Sequence, residues 1–188
     1  MRQVEVYTFN ELPEEAQDYI IDNFDTKRNL REVLNLVSQW EQDAADAQWN
    51  IDKDIALDFA DNKNISVDED YLDDFNPNDF QHEIEWSKVI DPVVFEVDGK
   101  NIELDFENKK SECIIKRSIS DNDFRRLPHR DRKEIKTFEA NVKKFATMVL
   151  DAIHNCQYYE LPEDDLRYAL GDAGLEYIVK DSGEVRLI

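Results

Sequence analysis

Glycine and proline are scarce in this 188-residue chain, at four and five residues, so no segment has the composition of a flexible or polyproline linker. The glycines, Gly99, Gly171, Gly174 and Gly183, are too scattered to form a phosphate-cradling loop. The two cysteines, Cys113 and Cys156, lie far apart and outside any CxxC pattern. That spacing offers neither a disulfide framework nor a cysteine zinc module, and both read as small buried apolar residues. Long hydrophobic runs are missing as well. The longest near the C-terminus, residues 145–150, is far too short to span a bilayer. The opening Met1-Arg2-Gln3-Val4-Glu5-Val6 alternates charge with valine and lacks the apolar stretch of an export signal. A cytoplasmic protein with no membrane partner is expected.

Positive charge is the most consequential shortage. Lys and Arg number 23 against 44 Asp and Glu, a formal net charge of −21. The deficit is concentrated in residues 41–85, where fifteen acidic side chains face only Lys53 and Lys63. The sign reverses over residues 116–144, with ten Lys and Arg against five acids. Charge separated in this way creates a field that selects partners. The acidic subregion repels nucleic acid and attracts basic protein surfaces, so binding is favoured over chemistry. The chain is nonetheless not a disordered acidic tail: 41% of it is hydrophobic, and aromatics run from Tyr7 to Tyr177, core material for a single domain over residues 1–188.

Periodicity predicts an α+β fold, an antiparallel sheet of short hairpins packed by two long helices. A strand around Val4, Val6 and Thr8 leads to a helix opened by Pro13, with Glu14 and Glu15 beside the positive end of its dipole. Ala16, Tyr19, Ile20 and Phe24 form its apolar stripe. Thr26 is placed to cap a longer helix reaching about Ala60, with Leu30, Val33, Leu34, Val37, Ala44, Ile51 and Ile55 as its inner face. Residues 62–85 read as loop and short helical turns anchored by Tyr71, Phe75 and Phe80. A hairpin follows over residues 93–106 around Asp98-Gly99, then a third strand over residues 113–119. The most regular helix starts after Leu127-Pro128 and buries Ile135, Phe138, Val142, Phe145, Val149, Ala152 and Cys156. A short helix from Leu161-Pro162 to Gly171 or Gly174 and a hairpin around Asp181-Ser182-Gly183 complete the chain. Glu11-Leu12-Pro13-Glu14-Glu15 with Tyr19 is echoed by Glu160-Leu161-Pro162-Glu163-Asp164 with Tyr168, which either an internal duplication or, as the favoured reading, two independent uses of a good helix start would explain.

Within the acidic subregion, Asp43, Asp46, Asn50, Asp54, Asp58 and Asp61 step by three or four and share one helical stripe. Neighbouring carboxylates about 5–6 Å apart repel by roughly 0.2–0.5 kcal/mol per pair, a local cost to the helix. Such a line resembles a nucleic-acid strand, with a phosphate about every 3.4 Å of axis, and suits a basic groove built for phosphates. The plainer alternative is a solvated face that maintains solubility.

Chemistry finds little footing. His154 and Cys156 are two apart on a helix and point away from each other. His82-Glu83 is followed by Trp86 where HExxH needs its second His. Asp74, Asn76, Asn78, Phe80, His82 and Glu85 match an EF-hand register, but Asp79 replaces the turn glycine and Pro77 intrudes. The basic residues Arg117, Arg125, Arg126, Arg130, Arg132 and Lys133 form no known nucleic-acid module, so they are read as pairing with the protein's own acids or with a second copy in a homodimer. No enzyme activity, cofactor, metal or direct nucleic-acid contact is expected.

The segment Tyr7-Thr8-Phe9-Asn10-Glu11-Leu12-Pro13-Glu14-Glu15-Ala16 resembles the opening of a family of small acidic proteins from bacteriophages and prophages, Tyr-Thr-Phe-Asp-Glu-Leu-Ser-Glu-Glu-Ala. The stretch from Leu175 to Glu184 resembles that family's closing Tyr-x-Phe-x-x-Asp-Gly hairpin. Pro13 stands where the family has Ser, and Ile178-Val179 where it has Phe-Thr. The resemblance implies a mobile-element accessory protein acting in the host cytoplasm, such as an anti-CRISPR or anti-restriction inhibitor. The expected partner is a basic nucleic-acid-binding host protein, a nuclease or CRISPR effector. Asp43, Asp46, Asp54, Asp58, Asp61, Asp68, Glu69, Asp70, Asp73 and Asp74 are the expected contact residues, with Trp40 and Trp49 as apolar anchors. The alternatives are an antitoxin-like regulatory module and a self-associating accessory protein.

Overall fold

Two helices of 31 and 29 residues dominate a computed structural model that describes residues 6–22, 31–79, 83–160, 162–179 and 185–187. In chain order the elements are β1 (Val6–Thr8), a 3-10 turn (Phe9–Glu11), α1 (Glu14–Asp22), α2 (Arg31–Asp61), α3 (Glu69–Asp74), α4 (Trp86–Val89), β2 (Val93–Val97), β3 (Lys100–Lys109), β4 (Glu112–Arg117), α5 (Asp121–Arg126), α6 (His129–Gln157), α7 (Glu163–Asp172), β5 (Glu176–Val179) and β6 (Val185–Leu187). The chain is α+β, with antiparallel sheets of short strands packed against helices. It divides into two compact units, Met1–Ala45 with Tyr159–Ile188, and Asp46–Tyr158. The division falls inside α2. No helix among the described residues is long and apolar enough to cross a membrane.

In the first unit the order β1-β5-β6 brings the two ends of the chain into one antiparallel sheet, with Tyr7 opposite Tyr177 and Tyr177 opposite Leu187. Glu11 fixes the exit from β1: its Oε2 accepts from the Thr8 amide at 2.8 Å and the Thr8 hydroxyl at 2.9 Å. Those bonds favour the ionised carboxylate and hold its pKa below the usual value. Pro13 and Pro162 each stand just before a helix, α1 and α7, with acids filling the first turn. Phe9, Leu12, Leu170 and Tyr177 form the core, with Ile20, Leu166 and Val179 packed around them. Burial pushes the Tyr177 phenol up to about 12. Arg167 of α7 reaches Asp18 of α1 at 2.5 Å and Glu163 at 2.7 Å, so the two echoed helices are joined by an ion pair. Val4, Phe24, Thr26, Leu30, Leu161 and the turn at residues 181–183 lie outside the described residues.

The second unit is built on a three-stranded antiparallel meander, β2-β3-β4. Asp98 and Gly99 both adopt positive φ, 51° and 73°, the conformation a two-residue hairpin loop needs. Along β3, Ile102, Leu104 and Phe106 are buried while Asn101, Glu103, Asp105 and Glu107 face outward, the period-two signature of a sheet covered on one side. On α6 the expected stripe is buried throughout, except that Phe138 is half-buried and meets Phe95 edge-on at 5.6 Å. Trp86 is fully buried; its indole Nε1 donates to the Ser111 carbonyl at 2.9 Å and its amide to Asn108 Oδ1 at 2.7 Å. Arg117 fastens β4 to α6 by two parallel bonds to Glu139, at 2.6 and 2.8 Å, and lies 4.0 Å over the Phe124 ring. The acidic link from residue 62 is loop plus α3, as its composition suggests, with an isolated bridge between Val67 and Ile90. Its Phe80 and His82 lie outside the described residues.

The inner face expected for α2 needs correction in its second half. Ile51 and Ile55 are 56% and 55% exposed, and the buried row is instead Ala45, Trp49, Lys53, Ala56 and Ala60. The bulky Trp49 lies on this row and Lys53 reaches Asp73 from it, and a helix that turns that row inward leaves Ile51 and Ile55 on the opposite side. Val33, Leu34 and Val37 belong to a stretch whose side chains lie outside the description.

Candidate partner-binding surface

Once Ala45, Trp49, Ala56 and Ala60 turn inward, helical geometry forces Asp46, Asn50, Asp54, Asp58 and Asp61 outward, and all five are exposed. Over residues 46–61 this stripe spans about 22 Å of helix axis at about 1.5 Å per residue. Asp43 is also exposed but belongs to the first unit, where its carboxylate accepts from Gln39 Nε2 at 2.8 Å.

The ten expected acidic contacts separate by what each carboxylate touches. Asp43 and Asp46 accept amide bonds, Asp46 from Asn78 at 3.1 Å. Asp68 caps α3 by accepting from the Tyr71 amide at 3.0 Å. Asp73 pairs with Lys53, whose stem lies in the core at 7% exposure. Among the described residues no hydrogen bond or ion pair engages the carboxylates of Asp54, Asp58, Asp61, Glu69, Asp70 and Asp74, and all six are exposed. These six are the ones left available to a partner.

The two tryptophans are occupied inside the fold. Trp49 is only 4% exposed and meets Phe75 at 6.0 Å, so it packs the core and is not a surface anchor. Trp40, half-buried in the first unit, meets Tyr168 at 5.4 Å. Among the described side chains of α2, the large apolar ones on the surface are Ile51 and Ile55, the pair expected on its inner face. They stand one turn apart beside Asp54 and Asp58, so the outward pole of the helix is a short isoleucine ridge edged by carboxylates. Their i, i+4 spacing was visible in the sequence. Which way the row faced was not.

A second acidic feature adjoins α3. A cavity of about 320 Å³ opens between Tyr71 and Phe75, with Asp74, Asp79, Glu83 and Glu85 on its rim. Aromatic walls under carboxylates suit a guanidinium or ammonium side chain. Lys88 already uses part of this chemistry, pairing with Glu85 at 2.8 Å and lying 5.9 Å from the Tyr71 ring.

The basic subregion behaves in two ways. Arg117 pairs with Glu139 and Asp121, Lys116 with Glu107, and Arg126 with Asp123. Among the described residues no carboxylate lies in ion-pair range of Arg125, Arg130, Arg132, Lys133 or Lys136. Internal pairing therefore accounts for one part of the stretch only. Cys156 is buried, as expected, whereas Cys113 is half-buried, with its thiol pushed up to about 11 by desolvation. No protein-family model, curated protein or solved structure matches the chain.

Proposed function

We propose that this protein is a phage-type inhibitor that binds a basic, nucleic-acid-handling host defence protein of the CRISPR or restriction class and blocks its nucleic-acid site without chemistry of its own. The observation that carries the reading is the outward pole of α2, where the unengaged carboxylates of Asp54, Asp58 and Asp61 flank exposed Ile51 and Ile55. A solubility face needs acids but no isoleucines; a contact surface uses apolar anchors within a charged rim. Carboxylates steer the encounter with a basic groove, and the isoleucines supply desolvated area once contact is made. Glu69, Asp70 and Asp74 extend the acidic field, and the recess beside Tyr71 accommodates a basic side chain of the partner.

The exposed isoleucines also fit a second copy of the chain, which would give a homodimer. Reversal of Asp54, Asp58 and Asp61 to Lys separates the two. Under the inhibitor reading it abolishes capture of the basic partner and leaves the protein folded, because these side chains support nothing internal. Under self-association the wild type sediments as a dimer, with no partner to lose.

A further inference from the structure

We propose that a nucleotide binds a hollow between β2 and the first half of α6. The hollow has a volume of about 570 Å³, within the range of small-molecule sites. Its apolar wall is Val93 with the Phe95–Phe138 pair, and its cationic wall is Lys63, Arg130 and Lys133. Glu134 is the single acid lining it. An aromatic wall takes the face of a base, and the three cations take phosphate. Thr137, Asn141 and Glu134 also line the hollow; the Thr137 hydroxyl donates to the Lys133 carbonyl, which leaves its lone pairs, the Asn141 amide and the Glu134 carboxylate for base edges and ribose hydroxyls.

Three further observations converge on the same helix. A second hollow of about 430 Å³ shares Lys133, Thr137 and Asn141 with the first and adds Arg132 and Lys136, with no acid in its lining. Arg132, which lines the second hollow and not the first, has its Nε buried without a hydrogen-bond partner. Both hollows run along α6 from its first turn, which has no side-chain cap, to Asn141, so only their end at His129 and Arg130 meets the positive dipole end. A small ligand fits better than a nucleic-acid strand. At −21 the whole protein repels a polyanion, whereas a nucleotide senses mainly charges within a Debye length of about 8 Å at physiological salt. The aromatics were hidden from the linear reading because Phe95 comes from a strand and joins the basic residues only through the fold.

Calorimetric titration of the full chain with each of the four ribonucleoside triphosphates tests the assignment, with adenosine, inorganic phosphate and a single-stranded oligonucleotide as comparisons. At least one triphosphate is expected to saturate at one per chain and to weaken as salt rises. Adenosine and phosphate should each bind at least about tenfold more weakly, because each reaches only one wall. Lys133→Ala should cost about tenfold, circular dichroism confirming its fold, since the Lys133 side chain is exposed and makes no hydrogen bond or ion pair among the described residues, its carbonyl alone accepting from Thr137. Phe95→Leu should weaken the triphosphate while leaving phosphate unchanged. No saturation by any triphosphate at millimolar concentration overturns the proposal, as does wild-type affinity in Lys133→Ala. Phosphate binding as tightly as the nucleotide removes the aromatic wall from the site, and an oligonucleotide binding more tightly than any triphosphate replaces the nucleotide with a strand.

Discussion

Removing the Asp73 carboxylate strands a positive charge inside the protein. The Lys53 side chain is 9% exposed and Asp73 is its ion-pair partner among the described residues, linking α2 to α3. Breaking a fully buried ion pair by deleting one member costs about 3–5 kcal/mol. Here the carboxylate is 58% exposed, so water reaches the vacated site and softens the loss. The charge-assisted hydrogen bond itself is worth about 1.5–3 kcal/mol, and Asp73→Ala should fall in that range. Lys53→Met should behave differently. It deletes the charge, keeps the aliphatic volume and leaves Asp73 half in water, so a change within about 1 kcal/mol is expected. Asp54→Ala, which touches nothing internal, should stay within about 0.5 kcal/mol of wild type. Urea titration followed by tryptophan fluorescence measures all three, because Trp49 lies one turn from Lys53 on the same buried row. Shifts in midpoint at constant slope are the readout. An Asp73→Ala variant as stable as Asp54→Ala, or a Lys53→Met variant as damaged as Asp73→Ala, would refute the reasoning. The practical consequence is that Asp73 belongs to folding and is excluded from any set of variants meant to test binding.

Glu139→Ala should cost about 1.5–3 kcal/mol by urea titration, because it removes both bonds to a largely buried Arg117. Lys116→Ala breaks a pair of half-exposed groups and should cost about 0.5 kcal/mol or less. The Cys113 thiol, pushed up to about 11, should react with disulfide reagents at pH 8 far more slowly than a free cysteine of ordinary pKa near 8.5. With the folded pKa above the unfolded one, the folded state holds the proton longer, so wild-type stability should decline relative to Cys113→Ser as pH rises from about 8.5 towards 11. Midpoints at pH 8 and 10.5 check the sign.

Legibility tracked how much each element carried its own information. The stripe on α6 could be read because seven apolar residues repeat at helical spacing, and all but the half-buried Phe138 are buried. Asp98-Gly99 could be read because two adjacent positions of positive φ select those residue types. The second half of α2 is less legible because hydrophobicity weighs Ile51 and Ile55 above Ala45, Ala56 and Ala60, whereas the row turned inward is the one that carries Trp49 and Lys53. The same inversion concealed the surface isoleucines and made Trp49 look available. The pairing of β1 with β5 joins residues from opposite ends of the chain, and no local signal marks such a partner. The acidic stripe was fully visible as a line of charge, but which carboxylates are already engaged depends on Asn78, Lys53 and the α3 amides, all distant in sequence or set by the turn geometry.

The central claim is tested most directly by capture of host protein from bacterial lysate on the tagged wild type and on the Asp54→Lys, Asp58→Lys, Asp61→Lys variant, followed by elution with duplex DNA. The wild type should retain a basic nucleic-acid-binding protein that DNA displaces and that high salt releases, and the folded triple variant should retain none of it. Equal retention by the triple variant, or a captured protein that DNA leaves in place, would contradict the account.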